Sequence, residues 1–244
     1  MSDRTDESFL KSHCAVILVE PENQENIGLV ARAMKNTGFS ELRFVGLTAL
    51  GEKSFVTAVH AKNILESGLF FSNLEQALKD CEVVFASTSK KRKEFSSLTL
   101  NAAVDTMLRL PRETKIGLVF GNERTGLTSR QLRNSNFRFE IPQATSQPSY
   151  NLASAVLVTL FQIYCRESRI SPEAYSVDKP MAREDQEDCI RRILLILEEK
   201  GFVHKTNKKH VQDRIYDLFG RMTLTEKDRS LLLALFSKGV GSKK

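Results

Sequence analysis

Five short strand-like segments, the apolar runs Cys14–Val19 (CAVILV), Val83–Ala86 and Ile116–Phe120 together with Leu42–Val45 and Phe137–Ile141, alternate with stretches of helical periodicity, and this rhythm constrains the fold most. A short run that is apolar at successive positions suits a strand buried on both faces. The intervening stretches supply the covers. Ile27, Val30, Ala31 and Met34 share one helix face, with Gly38 as its stop. Val56–Leu65 reads as helical, Ser72-x-x-Glu75 as a capping box for a helix through Leu78, and Leu98–Leu108 leans towards helix. Thr128-x-x-Gln131 opens another, and Ser149–Glu167 is a long apolar helix. Such alternation predicts an α/β domain whose parallel sheet is covered on both sides. Ligands of such sheets sit outside the C-terminal strand ends, here the loops after Val19, Ala86 and Phe120.

Outside this domain, assigned to residues 13–170, the chain changes character. Residues 1–12 are polar and expected to be disordered. Ser168–Asp185 carries Pro172 and Pro180 and reads as a linker, with 171–185 as its body. Residues 186–244 hold three helical patterns: Ile190, Ile193, Leu194 and Leu197 before Gly201; Val211, Ile215, Leu218 and Phe219 before Gly220; and Leu231, Leu232, Leu235 and Phe236, opened by Thr225-x-x-Asp228 and stopped at Gly239. So small a helical unit is marginal alone and is expected to pack on a neighbour. It holds +5 of the net charge of +6, a hint of a polyanionic partner.

Cys14, Cys81, Cys165 and Cys189 form no C-x-x-C pair, and His13, His60, His204 and His210 have no metal-ligand spacing, so no metal site is expected. With no apolar stretch of membrane-spanning length and no signal peptide, the expectation is a reduced, soluble, cytoplasmic protein.

Ile116–Thr128 (IGLVFGNERTGLT) starts like a phosphate-binding loop, a buried strand running into Gly-x-x-x-x-Gly. Leu127 stands where the phosphate-binding Lys belongs, and Glu123 lies inside the loop, so a nucleoside triphosphate is excluded. Two other loop-to-helix segments accompany it: Asn26–Met34 (NIGLVARAM), and Ile141-Pro142 followed by Ser149–Val156 (SYNLASAV). Singly, each has a plain structural reading. Asn26, Ser149 or Asn151 can cap a helix, Arg32 can be a surface charge, and Gly121 and Gly126 can be turn glycines.

Together, in this order, the three segments resemble the motifs of the SpoU–TrmD (SPOUT) superfamily of S-adenosylmethionine-dependent RNA methyltransferases, and most of all its TrmJ-like tRNA ribose 2′-O-methyltransferases. The resemblance runs from Ala15 to about Glu167, and the three-helix end looks like the extension of the TrmJ branch. It implies a SPOUT fold, parallel sheet with a C-terminal trefoil knot, followed by a small helical domain. It also implies S-adenosylmethionine held by Ser87, Thr88, Ser89, Gly121, Ile141, Pro148, Ser149 and Tyr150, with Gly121 admitting the ligand close to the main chain. Arg32, Asn26, Glu123, Asn151 and Ser149 match the polar motif positions. Arg32 is then expected to grip the acceptor nucleotide. A guanidinium stays protonated and makes a poor base. Glu123 is expected to orient Arg32 or Asn26, and Asn151 to position the acceptor. Tyr150 departs from the Leu usual between the Ser and Asn of the third motif.

The implied partner is tRNA, methylated at the first nucleotide of the anticodon loop. Candidate RNA contacts are Lys90, Lys91, Arg92 and Lys93 beside the strand end, and the C-terminal cations Arg191, Arg192, Lys205, Lys208, Lys209 and Arg214. The superfamily works as homodimers, and the apolar Leu152–Ile163 stretch is compatible with that. Other readings are a different tRNA or ribosomal RNA site, a catalytically silent RNA-binding relative, or a DNA regulator with a helix-turn-helix at 186–244. A nicotinamide dehydrogenase is disfavoured because no G-x-G-x-x-G follows the first strand.

Overall fold

The computed structural model describes residues 9–89, 96–144, 149–167 and 179–239. Strand β1 (Cys14–Val19) is buried at every position, and its side chains alternate between two cores. Cys14, Val16 and Leu18 enter one, Ala15, Ile17 and Val19 the other. Strands β4 (Val83–Ser87) and β6 (Ile116–Phe120) divide in the same way, Phe85 and Leu118 going to the first core, Val84 and Val119 to the second. This period of two is the geometry of a strand with helices on both faces. Burial of each such Val, Ile or Leu contributes about 1.5–3 kcal/mol.

With β2 (Glu41–Val45), β3 (Leu69–Phe71), β5 (Leu98–Thr99) and β7 (Phe137–Glu140), these strands form a seven-stranded sheet in the order β3-β2-β1-β6-β4-β7-β5. Every pairing is parallel. The α/β architecture inferred from the apolar rhythm is therefore present. On the larger core lie α2 (Gln24–Thr37), α6 (Leu100–Met107) and α8 (Leu152–Glu167); on the smaller lie α5 (Leu74–Ala77) and α7 (Ser129–Arg133). Helix α2 is seated by Gly28, where a Cβ would lie 2.3 Å from the Ser54 carbonyl oxygen of α3 (Glu52–Ala58). Close backbone contact at that point fixes the start of α2.

Several local expectations are corrected. Phe9–His13 is a helix, α1, whose Leu10 is fully buried, so the end of the polar N-terminal segment is ordered. The Val56–Leu65 stretch is broken at Val59, with φ of 52°, into α3, a 3-10 turn and α4 (Lys62–Glu66). Asn73, not Ser72, caps α5, accepting from the Gln76 N–H at 2.9 Å. Strands β3 and β5 lie outside the segments read as strands, being two or three residues long and only partly buried.

Helices α9 (Arg183–Glu199), α10 (Lys208–Gly220) and α11 (Glu226–Gly239) enclose a separate core of Met181, Cys189, Ile190, Ile193, Leu197, Val203, Phe219 and Leu224. Helix α9 starts at Arg183, so the last three residues assigned to the linker are helical. The capping box at Thr225 and Asp228 forms as read. Leu218, Leu231 and Leu235, assigned to the inner stripes, are about half exposed instead. The unit does pack on a neighbour: the Arg183 N–H donates to the Cys81 carbonyl at 2.9 Å and Asn136 Nδ2 to the Met222 carbonyl at 2.9 Å, while Arg133 pairs with Asp213 at 3.3 Å. No helix among the described residues is long and apolar enough to cross a membrane.

Candidate active site

Parallel pairing in the order β1-β6-β4-β7 brings four strand ends side by side, with Leu18 opposite Phe120, Ala86 opposite Val119, and Ser87 opposite Phe139. The chain leaves the sheet there at Glu20, Gly121, Thr88 and Ile141. The Thr88 N–H still donates to the Phe139 carbonyl at 2.9 Å, so that end of β4 stays anchored to β7.

The three motifs meet at this edge through one line of side-chain hydrogen bonds. Asn151 caps α8, its Oδ1 accepting from the N–H groups of Ala153 at 2.9 Å and Ser154 at 3.3 Å. Its Nδ2 donates to Asn26 Oδ1 at 2.8 Å, and Asn26 Nδ2 donates to Glu123 Oε1 at 2.9 Å. The line has a direction fixed by chemistry. An ionised carboxylate only accepts, so Glu123 decides which end of the Asn26 amide faces it, and Asn26 then decides the orientation of Asn151. Asn26 is buried and lies inside the first turn of α2, whose N-cap is Asn23, accepting from the Glu25 N–H at 2.8 Å. Its capping role is thereby excluded.

Glu123 collects two further donors, the N–H of Glu22 at 2.9 Å on Oε2 and that of Asn23 at 3.2 Å on Oε1. Partial burial would raise its pKa. The Asn26 amide and the backbone N–H groups of Glu22, Glu123 and Asn23 outweigh that and hold it below the ordinary carboxylate value.

The remaining assigned residues divide. Ser87, Thr88 and Ile141 are half-buried, and Ser89, Ser149 and Tyr150 exposed, all beside the strand ends or the start of α8. The Tyr150 hydroxyl donates to the Pro142 carbonyl at 3.1 Å, joining the two ends of the β7–α8 connection. At Gly121 a Cβ would lie 2.4 Å from the Leu127 nitrogen. The missing side chain lets the loop's own main chain close on the end of β6. Arg32 is exposed, six residues or about 9 Å along α2 from Asn26, and stands outside the line. Glu123 therefore orients Asn26 and not Arg32. Lys208 pairs with Glu198 at 2.8 Å, and Lys209 is exposed at the start of α10. Pro148, Lys90, Lys91, Arg92 and Lys93 lie outside the described residues.

Sequence reasoning missed Asn122 and the backbone of Glu22 and Asn23. Asn122 Nδ2 donates to the Glu20 carbonyl at 2.8 Å and to Glu22 Oε1 at 3.0 Å, while its Oδ1 accepts from the N–H groups of Arg124 at 2.9 Å and Thr125 at 3.1 Å. An Asn directly after a glycine at a strand end reads as turn chemistry, which hides a contact to another loop.

Comparison with known proteins places this edge in context. The tRNA (cytidine-2′-O-)-methyltransferase TrmJ of Methanocaldococcus jannaschii is 28% identical over 227 residues, covering 91% of this chain and 97% of that protein. The crystal structure of TrmJ from Z. mobilis ZM4 superposes with a TM-score of 0.76 at 24% identity, over 93% of this chain and 99% of that one. That of the SpoU methyltransferase AviRb from Streptomyces viridochromogenes in complex with the cofactor AdoMet gives 0.52 at 19% identity, over 64% of this chain and 58% of that one. At these identities the two solved structures speak to fold. The SpoU rRNA methylase profile matches residues 13–161, from the start of β1 into α8 and through all three site loops. The chain belongs to the SpoU rRNA methylase family.

Proposed function

We propose that the protein is an S-adenosylmethionine-dependent tRNA ribose 2′-O-methyltransferase acting at the first nucleotide of the anticodon loop. The observation that carries this is the Asn151–Asn26–Glu123 line, which joins all three loop motifs at one sheet edge. The methyltransferase named for the M. jannaschii relative, which aligns over nearly its whole length, supports the reaction and the tRNA.

The donor set fits the cofactor. Adjacent ends of β6, β4 and β7 offer main-chain groups, the hydroxyls of Ser87, Thr88 and Ser89, and no lysine in the Gly121–Gly126 loop, which suits a nucleoside and a sulfonium rather than a polyphosphate. Bound there, S-adenosylmethionine supplies an electrophilic methyl carbon; AviRb, of the same fold, is solved with it. Ser149 and Tyr150 flank the same site, and Pro148 belongs to the proposal by sequence.

What the chain itself contributes is placement of the acceptor. Each Asn amide nitrogen carries two hydrogens and the line uses one. Asn151 is exposed, so its second N–H is open to a ribose or phosphate oxygen. Arg32, exposed and charged, takes a phosphate and stabilises negative charge developing on the 2′-oxygen. Alignment of oxygen, methyl carbon and sulfur accounts for most of the rate. Lys90, Lys91, Arg92 and Lys93, with Lys208 and Lys209, bind RNA phosphates. A knotted path through the β6–α8 region and a cytoplasmic setting, where tRNA is modified, belong to the same reading.

A homodimer also belongs to it. Leu157, Val158, Phe161 and Tyr164 are 38–54% exposed along α8, an apolar strip that a second copy would cover.

The test is incubation with unmodified total tRNA and labelled S-adenosylmethionine, then nucleoside mapping. A 2′-O-methyl group at the first anticodon-loop nucleotide supports the proposal. Labelling confined to bases, or to ribosomal RNA when that is offered instead, overturns it.

A further inference from the structure

We propose that Asn122 is a positioning residue for the transfer reaction: its side-chain amide holds the turn at Glu20, and through that turn the donors that set Glu123, Asn26 and Asn151. The role rests on the methyltransferase reading above.

Glu20 has φ of 50°, a left-handed conformation that a non-glycine residue adopts only when its surroundings impose it. Pro21 follows, which further restricts the backbone of the residue before it. Both polar groups of the Glu20 main chain are held from outside the turn. Its N–H donates to the Val45 carbonyl of β2 at 2.8 Å, and its carbonyl accepts from Asn122 Nδ2 at 2.8 Å. The second hydrogen of that amide serves Glu22 Oε1 at 3.0 Å, which also pairs with Arg124 at 3.5 Å.

With the turn set, the next two peptides point their N–H groups at the Glu123 carboxylate. One amide thus governs the geometry of a neighbouring carboxylate without touching it, by way of a loop about 100 residues away in sequence. The two ends of Asn122 have separable tasks. Its Oδ1 makes the local turn with Arg124 and Thr125, which aspartate would make as well. Only the Nδ2 arm reaches Glu20 and Glu22. Were Asn122 merely a turn residue, the donor would be dispensable.

Asn122→Asp separates these tasks, since it keeps size and the local acceptor while setting an anion against the Glu20 carbonyl and the Glu22 carboxylate. Amide exchange at Glu22 and Asn23 should quicken about tenfold or more, with the β1 and β6 strand amides unchanged. Single-turnover methylation of total tRNA should fall by about tenfold or more, with S-adenosylhomocysteine affinity in a calorimeter held within about threefold. In the double variant Glu22→Gln with Asn122→Asp, the glutamine amide can donate to the new carboxylate, and part of the lost rate should return. Unchanged exchange at Glu22 and Asn23, or a loss confined to cofactor KM at constant kcat, overturns the proposal. A wild type that methylates no RNA would count against the methyltransferase reading instead, and the exchange measurement would still decide whether Asn122 holds the turn.

Discussion

Asn26 Nδ2 and Glu123 Oε1 lie 2.9 Å apart although 97 residues separate them in sequence, and that bond ties the start of α2 to the end of β6. A buried amide that has no capping duty is being aimed by an acceptor-only group. Each expectation below tests what this aiming, or the scaffold behind it, contributes.

Glu123→Ala removes an acceptor of three hydrogen bonds. The carboxyl is partly solvated, so the stability cost should be modest, about 1–2 kcal/mol. Turnover should suffer more, by about a hundredfold, because Asn26 and Asn151 lose their fixed orientation. Thermal unfolding and single-turnover assays on the same preparation measure the two effects. A rate loss no larger than the stability loss would argue for a purely structural carboxylate.

The same group makes a pH-dependent contribution. Its folded pKa is depressed below the ordinary value of 4.5. The stability it adds is therefore complete above that value and is lost as pH falls through the lower folded pKa. The gap in unfolding free energy between wild type and Glu123→Gln should be constant from neutrality to about pH 5 and close below that. Denaturant titrations across this window would reveal it.

Arg32→Ala should abolish methyl transfer while changing stability by less than about 0.5 kcal/mol, since the side chain is exposed and outside the hydrogen-bonded line. Affinity for S-adenosylhomocysteine should stay nearly intact. A large loss of cofactor binding would move Arg32 to the other side of the reaction.

Arg43 illustrates the scaffold. It is 3% exposed on β2, bonded to the Ala77 carbonyl and Asp80 and paired with Glu41. Its guanidinium holds the Asp80 carboxyl below its ordinary pKa. Arg43→Ala should cost about 3 kcal/mol, near the low end for buried pairs because the acids remain partly in water. The melting temperature should fall by several degrees with residual specific activity unchanged below the transition.

Salt dependence tests the RNA surface. Substituting Lys208 and Lys209 by Ala should weaken tRNA binding and flatten the slope of log K against log salt by about 1–2. Filter binding at several salt concentrations gives the slope. An unaltered slope would remove the start of α10 from the RNA contact.

Much of the site was legible because its chemistry is local to three short segments. Asn26, Glu123 and Asn151 could be named from sequence, and the line between them forms. Partnerships were less legible. Glu123 had two candidate partners, Arg32 and Asn26, and helix geometry chose Asn26 by turning Arg32 outward. Gly121 reads in the sequence as a point of close approach, and only the folded loop shows that the main chain at Leu127 takes up part of that space.

By itself, the sequence determined the alternation of buried strands and covering helices, the motif residues and the separate helical end, because apolar periodicity and turn chemistry are written in neighbouring positions. Only the tertiary structure decided the strand order, which sets β6 between β1 and β4, and with it the contacts of Asn122 with Glu20 and of Asn26 with Glu123. Those depend on which strand ends become neighbours. That choice is made by the packing of whole faces against two cores, and no single segment encodes it.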